Sequence, residues 1–557
     1  MSSSSSTRRK RKGAPTSPVP STRPPKRAST RPRPPPGRHR PNQGPPSDAM
    51  SPDDSAFLDR LPDELLLQVL ELLDVGADER NTTFYSLCLI SRRFGRLGQH
   101  VLYKTFDLDC GRPGPFLRTV IARPDLAQRV RYVLWEYNMA QPGAPPADQP
   151  SSSDLRSLRA SLKRQDLPWS GQWQTMYASG HAACLLKLLL LHTPNIRYLG
   201  VVDRTSPRAY FDVSLSNESW TQLFFPPEHR VPSSPGLSSR YTQLHTLHLR
   251  MGGIRMEHIH AIIRLPSLRR LILNGAYHPV NGPSQDNGVA TCVPSSSNIV
   301  HLEVHRSFMS HTGLAQLVKA CRKLEHLVFS YDSQSYTRNV AEIGYPILAA
   351  ALHQHKHTLE HIDLDDLSDR KIPALIDYPR GTIGSFQDFT KLNYLGCPIE
   401  AFQSWNSNEW GESHVELHNV LPKTLEHFSL TVFESEEVDG TCYSSLASLS
   451  AFPGRYSKGL PQLRNITIRV HPEVYLKNTD LWKLDISFVN CEVYLRIIQD
   501  GKLWTRDDFF EDSSSDGEED SDIDSETLSM IEGAVTASAA AVMATMLAVT
   551  QSLHHLL

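Results

Sequence analysis

The 557-residue chain lacks the short motifs that would announce chemistry of its own. It has no Gly-rich phosphate loop, no His-Glu-x-x-His and no Gly-x-Ser-x-Gly. No Cys-His pair stands at a recognisable nucleophile spacing. Its eight cysteines (Cys88, Cys110, Cys184, Cys292, Cys321, Cys397, Cys442 and Cys491) stand singly with no Cys-x-x-Cys, which argues against a zinc ribbon or redox motif. Catalysis by the chain itself is not expected, and neither a metal nor a cofactor is. No apolar secretory signal opens the sequence, so reduced thiols in the nucleus and/or cytoplasm are expected. Glycine is scarcer than proline, 30 against 40, which argues against a uniform helical bundle. Neither a collagen period nor a sustained heptad appears.

Net charge is also scarce, at −2, but only by cancellation. Residues 1–47 carry twelve Lys or Arg and no acid, and residues 507–557 carry twelve Asp or Glu and no base. The first 56 residues read as a disordered basic Pro/Ser-rich arm, with too little apolar surface to offset the entropy of ordering. Its cluster Arg8-Arg9-Lys10-Arg11-Lys12 reads as a nuclear-import signal. Residues 507–527 read as an acidic disordered tail, in which Ser513, Ser515 and Ser521 each have an acid three positions on. Residues 528–557 read as a weak Ala-rich helix. Its 25 uncharged positions from Gly533 to Leu557 are long enough to span a bilayer, but Leu and Ile are too sparse for insertion, and a membrane is not expected as a partner.

What is present begins at Leu61. Pro62, Asp63 and Glu64 suit a first helical turn, and Leu65, Val69 and Leu72/Leu73 fall on one face. A polar break from Gly76 to Thr83 precedes a second period through Phe84, Leu87, Ile90, Phe94, Leu97 and Val101, with Gly95 and Gly98 expected to end one helix and begin another. Three short helices in about 45 residues bury little alone and usually need a partner. Over residues 57–105 these two halves resemble an F-box: Leu61-Pro62-x-Glu64-Leu65 to Leu73, then Leu87 to Phe94 and Leu97, with Leu102-Tyr103-Lys104-Thr105 resembling the exit segment of fungal members. The loop 74–83 is longer and more polar than the family's connector. The resemblance implies docking to a Skp-type adaptor and cullin scaffold through Leu61, Pro62, Glu64, Leu65, Val69, Leu70, Leu73, Ile90, Ser91, Phe94 and Leu97.

The template Leu-x-x-Leu-x-Leu, with Ile, Val or Phe allowed, recurs through the remainder. Clear copies start at Leu244, Leu268, Ile299, Leu324, Leu359, Leu425, Leu463 and Leu481, and weaker ones at Val130, Ile196 and Leu392. Each is short and alternates as a strand does. Apolar helical segments lie between several of them: His181–His192, Met256–Leu265, Thr312–Cys321 and Ile343–His353. Strand plus helix at this spacing is the mark of a repeat array. Over 57–505 the chain resembles the leucine-rich-repeat F-box proteins of fungi. The expected fold is therefore α/β: a small all-α F-box, then an irregular leucine-rich-repeat solenoid of parallel strands and helices over 106–506, with disordered termini. Only Asn274 falls near the family's Asn ladder, and Trp504, Phe509 and Phe510 are candidates to close the C-terminal edge.

In the template the fourth and sixth positions point inward, leaving the third, fifth and seventh towards solvent. The third-position column reads Thr246, Arg270, His301, His326, His361, Tyr394, His427 and Asn465. Of these, Arg270, His301, His326, His361, Tyr394 and His427 are the candidate contacts for an unknown protein substrate, with His301, His326 and His361 able to form a ladder. The competing reading is a solvated consensus of the repeat. Were the column a recognition patch, it would become cationic as pH falls towards about 6.5. The run His353-Gln354-His355-Lys356-His357 reads as a helix-end cap rather than a metal site. The function implied is substrate recognition for a cullin-type ubiquitin ligase. Its alternative is a non-catalytic nuclear scaffold whose basic arm contacts nucleic acid or chromatin; on the first reading nucleic acid is not a partner.

Overall fold

A computed structural model describes residues 60–73, 77–107, 112–137, 151–164, 175, 177, 182–203, 241–277, 292–307, 309–331, 344–365, 381–398, 401–402, 416–432, 459–470, 478–488, 493–499 and 502–503. The expected arm, acidic tail and Ala-rich helix lie outside these residues, as do Trp504, Phe509 and Phe510. The chain divides into two units after Pro62, and every element below belongs to the second.

Three helices come first: α1 (Asp63–Leu72), α2 (Ala77–Ile90) and α3 (Arg92–Leu102). The polar break is thus shorter than the sequence suggests, because α2 already runs through Ala77 to Thr83. The second break also falls elsewhere. Ser91, extended and accepting from the Phe94 N–H at 3.2 Å, caps α3, and Gly95 and Gly98 lie within that helix. Their role is close approach. A Cβ on Gly98 would stand 2.8 Å from Cys88 Sγ, and one on Gly95 would stand 3.0 Å from the Cys88 carbonyl.

The remainder is one thirteen-stranded sheet whose strands lie side by side in chain order. They are β1 (Thr105–Asp107), β2 (Tyr132–Tyr137), β3 (Tyr198–Asp203), β4 (Thr246–Arg255), β5 (Arg270–Tyr277), β6 (His301–Ser307), β7 (His326–Tyr331), β8 (His361–Asp365), β9 (Tyr394–Pro398), β10 (His427–Val432), β11 (Asn465–Val470), β12 (Tyr494–Gln499) and β13 (Lys502–Leu503). All neighbours pair parallel except β12 and β13, which are antiparallel. Helices lie in the connections: α4 (Pro113–Ala122), α5 (Pro124–Ala127), α6 (Ser152–Arg164), α7 (Ala182–His192), α8 (Met256–Ile263), α9 (His311–Ala320), α10 (Tyr345–Leu352) and α11 (Asn478–Phe488). Among the described residues, no helix is long and apolar enough to cross a membrane.

Register explains why so irregular a sequence makes so regular a sheet. Fourth positions pair across every step, from Phe106 and Val133 through Leu247, Leu271, Leu302 and Leu327 to Phe428 and Ile466. These side chains are all buried, as are sixth positions such as Trp135, Leu273, Val304 and Phe329. Each full burial of such a side chain is worth roughly 1.5–3 kcal/mol. The helices supply the other wall of the core, for example Leu186, Leu190, Ile262, Leu317 and Leu348. Helix α7 is tied to α6 by His192, whose Nδ1 meets the Leu188 carbonyl at 2.8 Å and whose Nε2 meets Ser161 Oγ at 3.0 Å.

A second device repeats just before the strands. Ser267 Oγ donates to the Leu244 carbonyl (2.9 Å), Thr358 Oγ1 to that of Leu324 (2.7 Å) and Thr424 Oγ1 to that of Leu392 (2.8 Å). Each hydroxyl sits one residue before its own template and reaches the first residue of the template preceding it. It therefore satisfies a turn carbonyl that no ladder bond serves.

One sequence expectation fails here. Leu481 opens no strand: Leu481, Leu484 and Phe488 are the buried stripe of α11, at steps of three and four. Asn274, the one residue near the family's Asn position, donates its Nδ2 to His248 Nε2 at 3.3 Å on the strand face.

Candidate functional site

Two surfaces hold the residues singled out by sequence. The first is the three-helix unit. In α1, Leu66 and Leu70 are buried, while Leu65, Val69 and Leu72, and Leu73 just after the helix, are exposed, Leu72 by 81%. The helix is therefore apolar on two sides, and only one of them meets the chain. Tyr85, Leu89 and Ile90 of α2 are exposed as well, beside a buried Phe84. Large exposed apolar side chains gathered in so short a stretch are unusual on a surface with no partner.

Polar contacts fix how α1 and α3 meet. Arg93 Nε donates to Asp63 Oδ1 at 2.8 Å, and Arg96 also pairs with Asp63. The Arg93 hydrogen bond is the main reason that the Asp63 carboxyl lies below its ordinary value. Lys104 Nζ meets Glu71 Oε1 at 2.8 Å.

Of the predicted adaptor set, Pro62, Glu64, Leu65, Val69, Leu73, Ile90 and Ser91 are exposed, and Leu61 and Phe94 are half-buried. Leu70 and Leu97 are buried at 5% and 3% exposure and are corrected to core residues. The cause is helical period: Leu70 lies four residues after the buried Leu66, and Leu97 four before the buried Val101, on the inward side of each helix. Ser91 spends its hydroxyl on the α3 cap. Leu72, Tyr85 and Leu89 stand outside the predicted set but are exposed as well. Their signal was an apolar pattern too wide for one face.

The second surface is the strand face that carries third, fifth and seventh positions. Arg270, His301, His326, His361, Tyr394 and His427 stand directly opposite one another across β5 to β10. The ring centroids of His301 and His326 are 4.9 Å apart, those of His326 and His361 5.2 Å, and those of His361 and Tyr394 4.1 Å with planes at 13°. Tyr394 and His427 follow at 6.4 Å. Parallel pairing at about 4.8 Å makes the stack, since identical registers place like rings face over face.

A carboxylate anchors one end of the stack. Glu303 takes Nε2 of His301 on Oε1, Nε2 of His305 at 3.0 Å on Oε2, and Nη2 of Arg270 at 2.7 Å. Those hydrogen bonds, His301 first and His305 second, hold the Glu303 carboxyl far below the ordinary glutamate range. His305 also opens a bulge in β6, where Arg306 takes a φ of +44° and donates its N–H to Ser330 Oγ at 3.1 Å. At the other end, Arg469 Nη2 donates to Tyr394 Oη at 3.3 Å and lies 3.7 Å from Asp363 Oδ2.

Burial first, and then the positive charge of a neighbouring histidine, lower the pKa of both His326 and His361. His326 and His361, at the centre of the row, therefore become cationic only at lower pH than an ordinary imidazole would. Near neutrality its centre is a row of uncharged rings with N–H donors and lone pairs, suited to holding peptide groups rather than to nucleophilic attack. Among the described residues, no three His, Cys, Asp or Glu side chains converge on a point that could hold a metal.

The run 353–357 does serve the end of its helix. His353 Nδ1 meets the Ala349 carbonyl at 3.1 Å. His355 is buried, accepting the Leu324 N–H on Nδ1 at 3.3 Å while its Nε2 donates to the Val318 carbonyl at 3.0 Å. Neither a scan against protein-family models nor a search of curated proteins found a match for this chain.

Proposed function

We propose that the chain is the substrate-recognition subunit of a cullin-type ubiquitin ligase, in the nucleus and/or cytoplasm. On this reading residues 57–105 are an F-box that docks a Skp-type adaptor on the cullin. The sheet over 106–506 is an irregular leucine-rich-repeat solenoid that binds a protein substrate. The observation that carries the proposal is the second apolar side of α1. Leu65, Val69, Leu72 and Leu73 are exposed within the motif whose residues resemble an F-box. Sequential pairing, parallel at every step from β1 to β12 with template positions in register, supports the repeat reading of the sheet. The chain's contribution is proximity: a substrate held on the strand face has its lysines at high effective concentration near the conjugating enzyme, with no chemistry by this chain.

Co-purification tests it. Adaptor and cullin should accompany the wild-type chain and be lost from a Val69→Asp/Ile90→Asp variant. Both positions are exposed, so the melting temperature should hold. Absence of adaptor from the wild type, or its retention by a folded double variant, overturns the proposal.

A further inference from the structure

A cavity of about 550 Å³ opens between α2, α3 and the segment around α5, away from the strand face. Four arginines line it, Arg92, Arg96, Arg123 and Arg129, against one carboxylate, Asp125. Two of the four are already paired. Arg123 Nη2 meets Asp125 Oδ2 at 2.8 Å, and Arg96 pairs with Asp63. Arg92 and Arg129 have no acidic partner among the described residues. Leu89, 71% exposed, and the buried Leu126 add an apolar wall. The positive field reaches His100, whose pKa is lowered by burial and then by the charge of Arg129.

Two unpaired guanidiniums over an apolar floor suit a ligand that carries several carboxylates and no base. Arginine's planar fork pairs with carboxylate in two-pronged fashion, whereas a ligand lysine would meet four like charges. One stretch of this chain answers that description: residues 507–526 hold eleven Asp or Glu with no Lys or Arg.

Reach permits the match. Thirteen strands laid straight would span about 58 Å at the usual inter-strand spacing. The 19 to 23 residues from Leu503 to Asp522–Glu526 extend to roughly 63–76 Å. We propose that the arginine-lined cavity is a binding site for an acidic peptide, and that the far end of the chain's own segment 507–526, Asp522–Glu526, is its occupant. The site borders the adaptor surface at Leu89 and Ser91, but none of its arginines is assigned to that contact, so the arginine reversals test it separately.

The probe is a fluorescein-labelled synthetic peptide of residues 507–526, titrated by anisotropy into the full-length chain. Replacing the acids of 507–526 in the full chain by Asn and Gln removes the internal competitor. The probe should then bind several-fold tighter than it does to the wild type. Adding Arg92→Glu and Arg129→Glu to that neutralised chain should weaken the probe by about tenfold or more, with the melting temperature unchanged. Equal affinity with and without the arginine reversals overturns the site. Loss on reversal without the gain on neutralisation assigns the cavity to another protein's acidic segment, and overturns the proposal as stated.

Discussion

The three helices and the strand array treat apolar residues in opposite ways. Of thirteen large apolar side chains exposed among the described residues, seven lie between Leu65 and Ile90. The array, several times longer, exposes only six, and its fourth and sixth positions are almost uniformly buried. Strands alternate, so each unit needs one covered face, and the neighbouring unit and its helix supply it. Helix α1 offers two apolar sides to a unit too small to cover both. In the array hydrophobic burial is complete within the chain, whereas in the helices it stops halfway.

Mutations at matched positions should separate the two regions. Leu302→Ala in β6 removes a fully buried side chain and should cost about 2–5 kcal/mol in denaturant unfolding. Leu72→Ser in α1 should cost less than about 0.5 kcal/mol in the isolated chain; a loss matching that of Leu302→Ala would abolish the contrast. Gly98→Val asks whether the helical unit is tight where it is buried. Its side chain meets Cys88 Sγ and the Phe84 carbonyl, so a loss of roughly 1–3 kcal/mol is expected from the same measurement.

Acid should also act mainly on the array. Folded-state values lowered at His248, His326, His355 and His361, against one at His100 in the helices, mean that the unfolded chain takes up protons first. Stability should therefore be level above about pH 6.5 and fall as pH drops below it. Glu303 stays ionised through that window and adds nothing to the slope. Thermal melts at pH 7.5 and 5.5 should show the drop, and a His326→Phe/His361→Phe variant should shrink it. A local effect concerns the turn hydroxyls. Thr358→Val leaves the Leu324 carbonyl without its side-chain donor and should cost about 1 kcal/mol.

Most of the array was legible because its code is positional. The seven clear copies that became strands, and the weaker ones at Val130, Ile196 and Leu392, all start two residues before a strand. The third-position column therefore aligned as read. The failures share a cause. Strand β12 begins two residues after Glu492, where the template wants an apolar residue, so it went unseen. Leu481 satisfies the template by coincidence with helical spacing, and a six-residue pattern cannot separate the two. Glu303 as the hub of two imidazoles and a guanidinium was not legible, since it depends on which side chains turn toward which within a row. Gly95 and Gly98 were misread as punctuation because close helix approach and helix termination select the same residue.

Among the described residues the sheet does not close on itself, so its strand order ends in two borders. Such borders are where one molecule can template the next, strand onto strand. Here β1 offers Thr105 to Asp107 and β13 offers Lys502 and Leu503, the latter turned antiparallel to all the others. A second copy would find two or three residues to pair with, against six registered pairs within the steps β2 to β3 and β10 to β11. A ladder long enough to seed a fibre in its middle is thereby kept short at both places where seeding begins.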